Sequence, residues 1–190
     1  MIINKNIKKY AVLSLIITIC VSIISCSLDK NESKNRLYND TLAERVKINI
    51  EEARSISDIS TLNETIIVLS KLSLEKSSAY REKIISYKLI KDNIEIKKDL
   101  NDLAKKKLIL LPTRLNKKEV SELSKIDGAD FFEAYLSKII ELLKSEITES
   151  EYLSVMTNDL DFKVLAVKII VKLNYNLNQI HKTRVEPLTI

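Results

Sequence analysis

The sequence predicts an all-α fold, a bundle of four principal helices with short additional helices. Glycine occurs once and proline twice in 190 residues, so the chain lacks the residues that the many tight turns of an all-β fold require. Apolar residues recur at steps near 3.6 residues, the period of an amphipathic helix. At several points a hydroxyl residue precedes a glutamate by three positions, a pattern typical of helix starts. Together these observations favour helices packed around one core.

The first 25 residues predict a signal peptide that is removed on export. Three lysines precede an uncharged apolar run of 15 residues, from position 10 to 24. A helix needs about 20 apolar residues to cross a bilayer, so this run has the length of a signal-peptide core rather than of a membrane span.

Residues Ile23-Ile24-Ser25-Cys26 resemble the bacterial lipobox, in which the cysteine thiol receives a diacylglycerol before a peptidase cuts in front of it. The resemblance implies that Cys26 is the lipidated N-terminus of the mature chain. We therefore expect a membrane-anchored lipoprotein of the bacterial cell envelope, at the periplasmic face of the outer membrane. The N-terminal lipid makes the membrane the first expected partner.

Residues 26–40 are predicted to be a polar tether, because they hold too few large apolar side chains to offset the entropy lost on ordering. Residues 41–190 are predicted to be the helical bundle domain. Removing the three lysines of residues 1–25 lowers the formal net charge from +5 to about +2. Such a nearly balanced chain gives no electrostatic reason to expect nucleic acid as a partner.

Helix starts are predicted where a capping pattern occurs. Thr41, Thr61 and Thr148 each precede a glutamate by three residues, as in a capping box. Asn116 and Asp159 are weaker starts of the same kind. With these starts, short helices are predicted at about 42–55, 117–126 and 149–156.

The four principal helices are predicted from apolar stripes, which we expect to pack together in one core. One long amphipathic helix is predicted from about residue 79 to 108, with its stop at Leu111-Pro112. A helix after Thr61 and two helices after Gly128 complete the set. The stripes are Ile66, Leu69 and Leu74; Ile85, Leu89, Ile96, Leu100 and Leu103; Leu136, Ile140, Leu143 and Ile147; and Phe162, Leu165, Ile169, Leu173 and Ile180.

A spaced set of residues resembles the bacterial envelope family known as domain-of-unknown-function family 4142: Leu111-Pro112 after the long helix, then Gly128, Phe131 and Tyr135. Phe132 stands where that family carries an acid. The resemblance covers about residues 58–184. It implies a ferritin-like up-down four-helix bundle in a secreted or lipid-anchored protein.

The same family commonly carries three histidines, and the resemblance places Asn93, Leu143 and Asn176 at those positions. These are possible positions of a degenerate family site. Leucine cannot bind a metal, and asparagine is a poor transition-metal ligand compared with histidine, so no metal is expected. Asn93 and Asn176 are expected in or beside the core, each with a hydrogen-bond partner, because an unpaired buried amide costs about 1 to 3 kcal/mol.

The sequence contains no motif that predicts a catalytic site. A di-iron bundle needs Glu-x-x-His on two helices, whereas the single histidine, His181, has Asn178 three residues before it. His181 is expected at the surface near a helix C-terminus. Glu146 with Glu149 is an acid/base pair that could be proposed, but no nucleophile accompanies it. We expect no enzyme and no cofactor.

The sequence leaves two functions open. The first is a lipid-anchored, non-catalytic structural or interaction module of the envelope, with an envelope protein as partner. The alternative is a ferritin-like envelope protein that binds a metal or acts in a stress response, but a fold does not by itself confer a function.

Overall fold

The structure is a computed structural model that describes residues 46–47, 50–112, 115 and 117–185. The chain divides into two units between residues 47 and 48, and the helical bundle lies in the second. Cys26, the predicted tether and the predicted helix start at Thr41 lie outside the described residues.

Five helices make up nearly all of the described chain, and none of the described residues forms a strand. This confirms the all-α prediction. The helices are α1, described over residues 50–76, α2 (Tyr80–Lys106), α3 (Lys117–Ser124), α4 (Ala129–Met156) and α5 (Leu160–Val185).

Side-chain contacts define the helix directions. Helix α1 runs antiparallel to α2, because Asn63 bonds to Asn93 and Ser73 to Ser86. It also runs antiparallel to α4, because Ser70 bonds to Tyr135 near one end and residues 55 and 149 meet near the other. Helix α5 also runs antiparallel to α2, because Lys168 pairs with Asp99 and Lys172 pairs with Glu95. Helix α5 packs on α4 as well.

Helices α2 and α4 therefore run in the same direction, and residues 107–128 must cross the length of the bundle to connect them. Helix α4 has 28 residues, which rise about 42 Å, and α3 lies within this crossing segment. One long crossover is the feature that separates ferritin-like bundles from simple up-and-down ones. The four-helix arrangement agrees with the expected ferritin-like bundle and adds this crossover to it.

The core consists largely of the predicted stripes. Every stripe residue of α4 and α5 is buried, and so are Leu89, Ile96, Leu100 and Leu103 of α2. Ile85 and Leu74 are half-buried. The periodic spacing therefore identified the buried faces of three of the four long helices.

Two predicted helix starts are wrong. Thr61 lies inside α1, where its hydroxyl donates to the carbonyl of Ser57 at 3.0 Å, and Thr148 lies inside α4. A hydroxyl in a helix can bond to the backbone four residues earlier, so a threonine three residues before a glutamate does not require a start. Residues 50–55 of the predicted 42–55 helix belong to α1, and the predicted 149–156 helix belongs to α4.

Two further predicted helices begin where expected, although Asn116, the predicted start of the first, lies outside the described residues. Helix α5 begins directly after Asp159, whose carboxylate accepts a hydrogen bond from the backbone N–H of Asp161 at 2.9 Å, as an N-cap does. The predicted helix at 117–126 is α3, which ends at Ser124.

Candidate functional site

The start of α4 packs against α1 through the segment that contains Gly128, Phe131 and Tyr135. Gly128 takes φ of 71° directly before the helix, a conformation that favours glycine. The Phe131 and Tyr135 rings stack with centroids 6.3 Å apart. The buried Tyr135 hydroxyl donates to the Ser70 hydroxyl at 3.0 Å, and burial raises the pKa of Tyr135 to about 12. These residues therefore have a structural role.

Lys76, at the end of α1, fixes the segment between α3 and α4. Its ammonium donates to the carbonyls of Ser124 and Ile126 at 2.6 and 2.7 Å and to the Asp127 carboxylate at 2.7 Å. It also lies 5.2 Å from the centroid of the Phe131 ring. This lysine therefore compensates the carbonyls at the end of α3 and covers the Phe131 ring.

A layer of polar side chains crosses the middle of the core. We name Asn63 of α1, Asn93 of α2 and Glu146 of α4 the polar layer. The Asn63 amide nitrogen donates to the Asn93 oxygen at 2.9 Å and makes a long contact of 3.5 Å with a Glu146 oxygen. The Asn93 nitrogen donates to the Leu89 carbonyl at 2.8 Å.

Glu146 is the acid of the polar layer. Its side chain is fully buried, and burial raises the pKa of Glu146 to about 8, although the hydrogen bond from Asn63 acts in the opposite direction. Its second carboxyl oxygen and the Asn63 oxygen have no hydrogen-bond partner. A proton on Glu146 turns an acceptor into a donor, so the neutral form suits this layer at neutral pH.

All three positions where the family resemblance places histidine are buried: Asn93, Leu143 and Asn176. Asn93 belongs to the polar layer, and Leu143 lies one helical turn before Glu146. Asn176 is 2 % exposed, and neither its nitrogen nor its oxygen has a hydrogen-bond partner. The expectation that both amides lie in the core holds, whereas the expected partner is found for Asn93 and not for Asn176.

Asn176 lines a small pocket of about 160 Å³ between α2 and α5. Ile85, Leu89 and Ile180 contribute apolar walls. At its rim the Lys88 ammonium lies 4.9 Å from the centroid of the Tyr175 ring and bonds to Asp92 at 2.7 Å. The pocket is thus a largely apolar recess with one buried amide.

Sequence reasoning missed Asn63 altogether and considered Glu146 only as a partner of Glu149. The structure does not join those two glutamates, because Glu149 accepts a hydrogen bond from Ser55 at 3.4 Å while Glu146 contacts Asn63. The available signal was spacing, since Glu146 stands three residues after Leu143 and shares its helix face.

A stripe of exposed apolar side chains runs along the outer face of α5. We name Val164, Val167, Val171 and Tyr175 the α5 stripe; each is between 54 and 65 % exposed. Their spacing of three, four and four residues keeps them on one side of the helix. This side faces away from the core; Tyr175 still meets Lys88 of α2 at its edge, whereas the three valine side chains remain more than half exposed within the described bundle.

The remaining sequence candidates are peripheral. His181 is exposed on the last turns of α5. Among the described side chains, no group of three or more histidine, cysteine, aspartate or glutamate residues is placed to hold a metal ion. No helix in the described part of the chain is both long and apolar enough to span a bilayer.

Comparison with known proteins agrees with the fold. The family model described as "Domain of unknown function (DUF4142)" matches residues 40–183. The crystal structure of a DUF305 fragment from Deinococcus radiodurans is similar, with a TM-score of 0.57 and 12 % identity over 70 % of this chain and 94 % of that chain. At that identity the likeness concerns the fold. The search of curated proteins returned no match.

Proposed function

The chain belongs to the DUF4142 family, and from this premise we propose that it is a non-catalytic helical interaction module held at the bacterial envelope by a lipid on Cys26. The α5 stripe is the observation that carries the interaction role. Apolar side chains on a helix face turned away from the core add little to the packing of the bundle, and neighbouring exposed apolar side chains mark an interaction site.

Sequence and chain length support the anchor. The short apolar run and the residues Ile23-Ile24-Ser25-Cys26 fit a lipoprotein signal. Between Cys26 and the helical unit, which begins at residue 48, lie 21 residues. Such a length gives an anchored bundle room to reach a partner in the same compartment, the periplasmic face of the outer membrane.

The partner that fits the α5 stripe is a protein that presents an apolar helix face. Val164, Val167 and Val171 follow the steps of three and four residues of a two-helix seam, with Tyr175 one turn further on, and β-branched valine suits such a seam. From Val164 to Tyr175 the stripe is about 17 Å long. A contact of this size lies at the small end of specific interfaces, as expected for a module whose anchor already confines it beside its partner.

The anchor is tested by replacing Cys26 with alanine. Cells that make Cys26→Ala should accumulate a precursor longer by residues 1–25, and the chain should leave the outer-membrane fraction. Mass spectrometry of the native protein should find acyl groups at Cys26. A mature protein with an unmodified Cys26, or one that retains residues 1–25, would contradict the anchor.

The α5 stripe is tested by placing a photo-crosslinking residue at Val167 or Val171 in intact cells. The matched control is the same residue at Lys144, which is exposed on α4. We expect a defined product from the two stripe positions, crosslinked to apolar positions of a partner helix, and no such product from position 144. A product of twice the protein's mass would identify the partner helix as a second copy, whereas equal crosslinking from all three positions would refute the docking face.

A further inference from the structure

A second group of exposed apolar side chains gathers at one end of the bundle, beside the turn between α4 and α5. We name Ile50, Leu108, Leu110, Val155 and Leu160 the apolar end. These side chains are between 61 and 94 % exposed, and Leu108 and Leu110 are the two most exposed large apolar residues in the described chain.

Two contacts show that these residues share one end. The Thr157 hydroxyl, between α4 and α5, donates to the Glu52 carboxylate on the first described turn of α1. Lys107, directly after α2, bonds to Asp159 in the same turn. The two contacts join four residues, and Ile50, Leu108, Val155 and Leu160 each lie within two positions of one of them. The described start of α1, the end of α2 and the α4–α5 turn therefore meet here.

Leu108 is unusual both in its backbone conformation and in its exposure. Its φ of 57° lies in the left-handed region, where glycine or asparagine normally ends a helix. Its side chain is also almost fully exposed, while the next residue, Ile109, packs against the core. A leucine at this position improves neither the helix end nor the core, which points to a contact outside the bundle.

The two acids of the α4–α5 turn are neutralised by lysines. Asp159 and Asp161 of the turn are both paired with Lys107, and Asp161 also with Lys106 at 2.8 Å. Lys105 is exposed on the last turn of α2. The turn therefore combines protruding apolar side chains with neutralised acids and a cation nearby.

We infer that the apolar end rests on a lipid surface, with its five side chains inserted among the acyl chains and Lys105 at the headgroups. The inference depends on the proposed anchor at Cys26, because the chain enters the bundle from its N-terminal side at this same end. Protruding side chains from several segments suit insertion into lipid, where apolar residues combined with lysine favour binding, better than they suit a helix partner. With the apolar end on the membrane, the helices run away from the membrane surface, and the α5 stripe remains accessible to a protein partner.

The test uses the full chain, purified with its native modification and reconstituted in vesicles of phosphatidylethanolamine and phosphatidylglycerol. An environment-sensitive fluorophore is attached to Val155→Cys or, as a control at the opposite end, to Tyr80→Cys. We expect the emission of the label at position 155 to shift to shorter wavelength and to be quenched by nitroxide lipids, and the label at position 80 to report water.

Two double variants that carry the label at position 155 distinguish insertion of the apolar end from mere closeness of the protein to the membrane. Leu108→Asn with Leu110→Gln should abolish the shift at position 155, and asparagine tolerates the left-handed conformation, so folding is preserved. Val167→Gln with Val171→Gln on the α5 stripe should leave the shift unchanged.

Mass spectrometry of Cys26 on the same preparation separates the two proposals. A lipidated chain whose label at position 155 reports water refutes the apolar end and leaves the anchor standing. An unlipidated chain refutes the anchor. In that case the lipid contact is supported if the chain pellets with the vesicles and the emission of the label at position 155 shifts to shorter wavelength. Any other result refutes the lipid contact. A shift that survives Leu108→Asn with Leu110→Gln also refutes it.

Discussion

Replacing Glu146 with glutamine should make the protein less sensitive to pH. Glutamine has nearly the size of a neutral glutamate and cannot ionise, so it keeps the shape of the polar layer. Because burial raises the pKa of Glu146 from 4.5 to about 8, the folded protein keeps its proton where the unfolded chain has released it. The folded state therefore binds more protons, and its stability falls as pH rises from about 4.5 to about 8.

The size of the effect follows from the shift. Each unit of pH within this window lowers the free energy of unfolding by about 1.4 kcal/mol. Glu146→Gln lacks this dependence. We expect the stability of the variant relative to the original protein to rise by about 3 kcal/mol between pH 5 and pH 7.5, with the two proteins most alike at the acidic end.

Urea unfolding followed by circular dichroism at both pH values measures this difference. Taking the difference between the two proteins cancels the titration of all other groups. Glu151→Gln, at an exposed position on the same helix, is the control for the loss of one carboxylate. If the difference for Glu146→Gln is constant between pH 5 and 7.5, Glu146 is ionised in the folded protein and the argument from burial is refuted.

Three further substitutions test the packing around the bundle, each by urea unfolding. Tyr135→Phe should cost about 1 kcal/mol by removing the hydrogen bond to Ser70, and an unchanged midpoint would contradict that bond. Lys76→Met should cost about 2 kcal/mol, because a charged donor to three oxygens is lost; a neutral result would mean that water replaces it. Asn176→Leu should stabilise the protein by about 1 kcal/mol, since it removes a buried amide without a partner, and a loss of stability would show that the amide is paired in solution.

Three helices were predictable because their buried faces are apolar. Leu89, Leu143 and Ile169 each lie within a regular stripe, and burial of such a stripe is what forms an amphipathic helix in a protein. Helix α1 was divided incorrectly because much of its buried face is polar, with Asn63, Ser70 and Ser73 in the core. Polar residues interrupt the apolar period of this face, so the stripe of Ile66 and Leu69 does not show how far the helix extends before Thr61.

The polar layer could not be predicted because it depends on contacts between distant segments. The family resemblance pointed to Asn93, yet its partner Asn63 is 30 residues away and Glu146 is 83 residues from Asn63. A glutamate in a helical sequence ordinarily marks the solvent side. Only the packing of α1 between α2 and α4 makes this glutamate a core residue.

The polar layer also bears on how α1 finds its alignment. The apolar residues of the core accept a shift by one helical turn at modest cost, because one branched aliphatic side chain replaces another. A shift of α1 by one turn would take Asn63 away from both Asn93 and Glu146 and leave three buried polar groups facing apolar side chains, at about 1 to 3 kcal/mol each. Single buried polar residues fix register in this way in coiled coils. The polar layer thus favours one alignment of α1 against α2 and α4, and the bonds of Ser70 to Tyr135 and of Ser73 to Ser86 favour the same alignment.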